Sequence, residues 1–265
     1  MNSHMISLAS GVVPELNPVE TVIAASAGGW DAVGLWVEPE HWTDSTSRDV
    51  RNRLAEMGLK VLDVEVVWIK SGALDPMHLR TIDIGAEVGA ANVLVVSSDP
   101  DQSATCDKFA ALCAHGRKAG LRIALEFGYF SDVHSLSAAL EIVKAANNPS
   151  AALLIDPLHL ARTGGAVADV AAIPADLLPY AQFCDAPATG PGGDYVPGIF
   201  SEAVDGRLQC GEGELPLDEL LIALPSRIPL SIEIRSKQLR DHYPDTHQRS
   251  RVTAEVTRAF LNRTR

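Results

Sequence analysis

The sequence predicts an α/β protein built as one (β/α)8 TIM barrel, with eight parallel strands inside a ring of helices. Three observations predict it. Short apolar runs alternate with helix-length amphipathic stretches from one end of the chain to the other, the pattern of parallel strands joined by crossover helices. There are eight such runs in 265 residues, and closed eight-fold barrels occupy about 250 residues as one domain. Four of the runs stop at a lone oxygen-bearing side chain, Glu126, Asp156, Gln182 and Glu233. That is how a strand buried on both faces looks where its last residue emerges into a site.

In order, the candidate strands are 6–13, 32–37, 60–67, 92–96, 122–126, 152–156, 180–184 and 229–234, each an apolar run. Each precedes a helical pattern, with a long loop intervening after the seventh. After the fifth strand, Ser131-Asp132 can cap a helix whose Val133, Leu136, Leu140 and Val143 recur at three- and four-residue steps, up to Asn147-Asn148-Pro149. The last helix, about 246–262, carries Val252, Val256 and Phe260 on one stripe, expected to close the barrel against the first helix. The connection 186–206 is too long and too rich in Gly and Pro for an ordinary barrel loop. It reads as a lid, with Tyr195 and Phe200 available to cover a substrate. Met1-Asn2-Ser3-His4 reads as an artificial addition before a natural start at Met5, leaving residues 5–265 as one barrel domain.

Composition narrows the function. With 22 basic against 34 acidic residues, the formal charge of −12 repels phosphate backbones, so nucleic acid is not an expected partner. No apolar run approaches the roughly 20 residues of a membrane span, and no charged-then-apolar leader opens the chain. Hydrophobic residues are 46% but aromatic ones only 5%, an aliphatic core that needs no staples. The four cysteines show no C-x-x-C spacing, so a reducing cytoplasm is expected. No feature marks a dimer surface, and the oligomeric state, a homodimer included, stays open.

In a parallel barrel the strand C-termini gather at one rim. Glu126, Asp156, Gln182 and Glu233 follow one another at steps of 30, 26 and 51 residues, one βα unit each. Three carboxylates and an amide oxygen crowded together repel without a cation. All-oxygen ligation points to Mn²⁺ or Mg²⁺, with Co²⁺ admissible. His159, three residues beyond Asp156, is placed to bind a substrate oxygen or to be a further ligand. Arg207 and Arg235 are the expected anion or hydroxyl binders, and Arg235 shares the direction of Glu233 two residues before it. Glu65 is a further acid near a strand end. Trp36 and Trp68 can wall a ringed substrate, against the plainer reading of rim packing. The Gly211-x-Gly213 turn reads as a structural turn in preference to a phosphate cradle. No serine or cysteine has an adjacent base, so nucleophilic catalysis lacks support.

Glu126, the Asp156-x-x-His159 step, Gln182 with Asp185, Gly211-Glu212-Gly213-Glu214 and Ser231-Ile232-Glu233 together resemble the sugar phosphate isomerase/epimerase family of xylose-isomerase-like TIM barrels, over essentially the whole chain from Met5. The resemblance implies that Glu126, Asp156, Gln182 and Glu233 are metal ligands. It also implies that Glu126 and Glu233 move protons, and that His159 and Arg207 hold substrate oxygens. One position departs. Epimerases of the family usually have histidine where Gln182 stands, whereas some members, including dehydratases of dehydroshikimate type, are similar to this chain in having glutamine.

The first expectation is therefore a metal-dependent isomerase or epimerase of carbohydrate metabolism, moving protons through an enediolate of a sugar or polyol ketone. The second is a dehydratase or lyase acting on a cyclic hydroxyketone of dehydroshikimate or inosose type. A non-catalytic binding barrel is the third, opposed by the presence of both glutamates. The multi-zinc, histidine-rich nuclease branch fits poorly, since only His159 lies near the acids.

Overall fold

Eight strands form one parallel sheet: β1 (Ile6–Leu8), β2 (Ala32–Trp36), β3 (Lys60–Lys70), β4 (Ala90–Ser98), β5 (Arg122–Glu126), β6 (Ala151–Leu154), β7 (Ala181–Phe183) and β8 (Leu230–Ile232). Their order in the computed structural model, which describes residues 4–191 and 196–263, is β6-β5-β4-β3-β2-β1-β8-β7. The two ends of that order meet where Gln182 N donates to Ile155 O at 2.9 Å, in a parallel bridge of Ile155 with Ala181. The sheet thereby closes into a TIM barrel.

The strands are apolar on both faces because both are covered. One buried cluster, with Leu62, Leu94, Ala124, Ala152, Leu154 and Tyr180, fills the lumen, and a second and larger one lies between strands and helices. Side-chain direction repeats every second residue along a strand. The lumen residues Ala124 and Leu154 thus carry Glu126 and Asp156 on the same side, one step nearer the rim. The first helix, Pro18–Gly28, shows local punctuation: Asn17 and Glu20 form a capping box, and Gly29 ends it at φ 73°, a left-handed conformation that favours glycine.

Three expected elements differ. The first strand is short, because Ser10–Val12 turns into a 3-10 helix and Ser10 Oγ donates to Glu65 Oε1 at 2.7 Å across the rim. The helix after β5 is Leu136–Ala145, capped by Ser135 and not by Ser131-Asp132. The Ser131 hydroxyl is already committed to Gly128 O and Val133 O in a tight turn. The last helix, Thr246–Arg263, does pack on the first helix, with Ser250 at the contact; its buried face is Ser250, Thr253, Ala254, Thr257 and Phe260, while Val252 and Val256 are only half-buried. Small residues win that face because the backbones approach closely. Ser250 Oγ donates to Ala24 O at 2.7 Å, and a Cβ on Gly28 would meet Ser250 Oγ at 2.4 Å.

β3 runs further than its apolar pattern suggests and is irregular against both neighbours, its register shifting against β2 and again between Val64 and Val67 against β4. Such irregularities re-aim side chains, and both Asp63 and Glu65 are buried. No helix among the described residues is long and apolar enough to cross a membrane.

Candidate active site

Each rim acid is delivered by its strand. Glu126 is the last residue of β5, and Asp156 stands just past β6 as the N-cap of the helix Pro157–Arg162. Its Oδ1 accepts from Leu158 N at 2.7 Å and His159 N at 3.1 Å, which turns His159 back toward the barrel axis. A carboxylate oxygen of Glu126, one of Asp156 and a ring nitrogen of His159 lie within 4.8 Å of one another. Gln182 lies in β7 and Glu233 directly follows β8, both buried. The buried Glu126 Oε1 and Gln182 Oε1 have no hydrogen-bond partner among the described residues. Two acceptors facing inward without a donor, beside a carboxylate and an imidazole, are a donor set that a hard divalent cation satisfies.

Arg207 enters this group from just beyond the helix Val196–Asp205. Its Nη1 donates to Asp156 Oδ2 at 2.5 Å and to Cys184 Sγ at 3.2 Å, and its Nε donates to Ala203 O at 2.8 Å. Its Nη2 lies 3.0 Å from Glu233 Oε2. One guanidinium thus bridges two of the four expected ligands. Arg235 covers the other side of Glu233, donating from Nε to Oε1 at 2.8 Å, and stands 3.4 Å from Glu65 Oε2. The direction expected for Arg235 is the one observed, with the guanidinium 5.6 Å from the centre of the Trp36 ring.

The electrostatics separate the acids. Burial, then the charges of Glu233 and Asp156, push the Glu126 carboxyl well above its usual range, and Arg207 only partly offsets them. Burial would raise Asp156 as well. There the Arg207 charge, the His159 charge and the donated hydrogen bonds outweigh it and hold the carboxyl low. Desolvation lowers His159, with the Asp156 charge opposing. The same burial thus acts on three neighbours with different outcomes, Glu126 raised, Asp156 and His159 lowered.

Above this polar floor is a cavity of about 180 Å³. Its walls are Trp68, Leu94, Val96 and Phe130, and Phe200 and Ala203 of the helix Val196–Asp205 lie over it. Phe130 packs edge-on to His159, with ring centres 5.0 Å apart, and also meets Phe200 at 6.0 Å. Trp68 lies against Phe130 and donates from Nε1 to Ser98 Oγ at 2.8 Å. Of the two aromatic residues expected in the lid, Phe200 reaches the cavity and Tyr195 lies outside the described residues.

Phe130 and Asp63 were not among the expected site residues. Phe130 follows Glu126 in the same rim loop, which is a usable signal, and Asp63 sits two residues before Glu65. The Gly211 turn has a structural explanation. Asp185 accepts from Ala186 N, Gly211 N and Leu215 N at 2.8–3.0 Å, consuming the amides a phosphate would need. A Cβ on Gly213 would come within 2.4 Å of Ala186 O.

Comparison with known proteins agrees with the barrel fold. The family model of the xylose isomerase-like TIM barrel matches residues 22–259. A 3-dehydroshikimate dehydratase of Pseudomonas putida is 25% identical over 242 residues, 85% of this chain and 36% of that protein. Its namesake from Pseudomonas aeruginosa is 26% identical over 191 residues, 67% of this chain and 29% of that protein. The chain thus spans about a third of the length of the curated relatives it matches. Among solved structures, the IolI protein with a bound zinc atom superposes with a TM-score of 0.78 at 18% identity, covering 97% of each chain. A D-allulose 3-epimerase from Methylomonas sp. in complex with D-allulose gives 0.70 at 14% identity, over 100% of this chain and 98% of that one. These two likenesses are of fold. By the extent of the family match, the chain belongs to the xylose isomerase-like TIM barrel family.

Proposed function

We propose that this barrel is a metal-dependent enzyme that removes a proton beside the carbonyl of a cyclic hydroxyketone and expels a β-hydroxyl group, a dehydratase or lyase. The observation that carries the reading is the pairing of a polar floor, Glu126, Asp156, His159 and Glu233, with an apolar, aromatic wall in a cavity of about 180 Å³. An open-chain sugar presents hydroxyls on every side and would leave many of them facing Trp68, Leu94, Val96 and Phe130, at a desolvation cost. A ring with few hydroxyls on one face suits that wall. The glutamine at 182 and the similarity to 3-dehydroshikimate dehydratases favour the same outcome.

Glu126, Asp156, Gln182 and Glu233 would hold the ion, Mn²⁺ or Mg²⁺ by donor type, with Co²⁺ admissible. When bound, it supplies Lewis-acid polarisation of the carbonyl and so acidifies the neighbouring C–H bond. The chain's own groups do the rest. The carboxylate of Glu233 takes the carbon-bound proton, and the C–H electron pair becomes the new double bond. That proton is returned by way of the Glu233 and Glu126 carboxyls to the departing hydroxyl, which leaves as water. His159 holds a substrate oxygen, and Arg207 keeps the charge of Asp156 and Glu233 compensated. Trp68, Phe130 and Phe200 exclude bulk water.

A second reading is the isomerase or epimerase, in which the same proton returns to carbon. It rests on Glu126 and Glu233 both being available to move protons, and on the fold shared with sugar epimerases. Incubation with candidate ketones in deuterated water tests the two. Appearance of an ultraviolet-absorbing enone supports dehydration, whereas deuterium uptake without loss of water supports the second reading. Neither product with any cyclic or sugar ketone, in protein shown to hold Mn²⁺, would leave the non-catalytic barrel standing.

A further inference from the structure

A second concavity, larger than the catalytic cavity, opens beside it. A groove of about 760 Å³ runs outward between the β1 and β2 rim loops and meets the cavity at Trp36 and Arg235, which line both. Sites for drug-sized ligands measure roughly 300–1,000 Å³, so the 180 Å³ cavity alone falls below that range, and joined to the groove it falls within it.

The groove's chemistry selects what it would hold. Trp36 is 40% exposed at the junction, and its indole N–H has no hydrogen bond among the described residues. An indole face, electron-rich, attracts the C–H edges of a saturated ring. Further out lie His41 and Asp49, exposed polar groups of the kind that pair with hydroxyls. Charge excludes the alternatives. Arg235 is already held by Glu233 and Glu65, so it offers little to an anion, while Glu38 and Asp49 repel one. Nor is Glu15 open to a cation, since Arg249 holds it.

We propose that this groove is a second subsite of the active site, taking a neutral, hydroxyl-rich ring joined to the ring that reacts in the cavity. The enzyme is then built for a two-ring, unphosphorylated substrate, and Trp36 marks the link between the rings. The proposal rests on the reading of the cavity as the reaction site.

Calorimetric titration of the Mn²⁺-loaded full chain tests it with three probes: myo-inositol (one neutral ring), galactinol (two neutral rings) and myo-inositol 1-phosphate. Galactinol should bind at least tenfold tighter than either of the others. Asp49→Trp, a substitution on an exposed helix face lining only the groove, should remove that tenfold and leave myo-inositol unchanged. His41→Trp on the adjoining loop blocks the same space should Asp49→Trp fail to fold, as checked by its thermal melt. Equal affinity for myo-inositol and galactinol, tighter binding of the phosphate, no binding of galactinol, or indifference to both blocking variants each overturns the groove assignment. Failure to bind Mn²⁺ is a separate result and removes the metal reading beneath it.

Discussion

The two halves of the barrel rim are made for different tasks. From β5 round to β8, the strands bring Glu126, Asp156, Gln182 and Glu233 to the rim, all buried, and Arg207 joins Asp156 to Glu233. From β2 to β4, the rim offers Trp36, Trp68 and Val96, with Glu65 the exception, and Glu65 is tied to Ser10 and Arg235. One half concentrates charge where only a cation and protons can relieve it. The other supplies surface for the body of a substrate. Changes in the first half should therefore act on turnover, and changes in the second on binding.

Metal removal is the strongest way to break that division. Dialysis against a chelator should abolish turnover, and Mn²⁺ should restore it. Turnover that survives would reassign the charged half to a metal-free role. Next comes Glu233→Gln, which keeps the shape and removes the base. It should lower kcat by about 10²–10⁴, the usual worth of a positioned acid or base, with Mn²⁺ still bound by calorimetry. A fall smaller than tenfold would make Glu233 only a counter-ion for Arg207 and Arg235. In the apolar half, Phe130→Ala should raise KM by about tenfold with kcat nearly kept, the signature of lost uniform binding. An equal loss in kcat would show that Phe130 positions His159, which it touches at 5.0 Å between ring centres.

The same division decides what could be read from the chain. β5 was legible to its boundaries because residues 122–126 are bounded by a left-handed glycine at 120 and by a carboxylate, both local signals. The four rim positions were legible because a closed barrel turns sequence order into neighbourhood. β1 was not, since Gly11-Val12-Val13 is as apolar as a strand and its 3-10 turn is set by a bond from Ser10 to Glu65, 55 residues away. Arg207 was assigned to substrate oxygens. Its grip on Asp156, 51 residues earlier, depends on lid geometry that no local pattern encodes. Asp63 was missed because two register shifts in β3 decide where it points.

Asp63 offers the smallest and most local of these tests. It is buried on β3 in the lumen beneath the rim, and its Oδ1 has no hydrogen-bond partner among the described residues. Burial, then the charges of Glu65 and Glu233, raise its carboxyl well above the ordinary 3.8, and the nearby Tyr180 hydroxyl opposes this only in part. The sign follows from proton linkage. As pH rises past 3.8, the unfolded chain gives up this proton first while the folded chain keeps it. The folded state then binds more protons, so this group erodes stability until pH passes the folded pKa. Asp63→Asn, nearly isosteric and never charged, removes that erosion. Denaturant unfolding at a series of pH values should show a flatter decline for the variant and a gain on the order of 1 kcal/mol at neutral pH, the scale of an unsatisfied buried polar group. Parallel curves for the two proteins would mean that Asp63 meets a partner in solution, and that the lumen beneath the charged rim is wetter than its lining of Leu62, Ala124 and Leu154 implies.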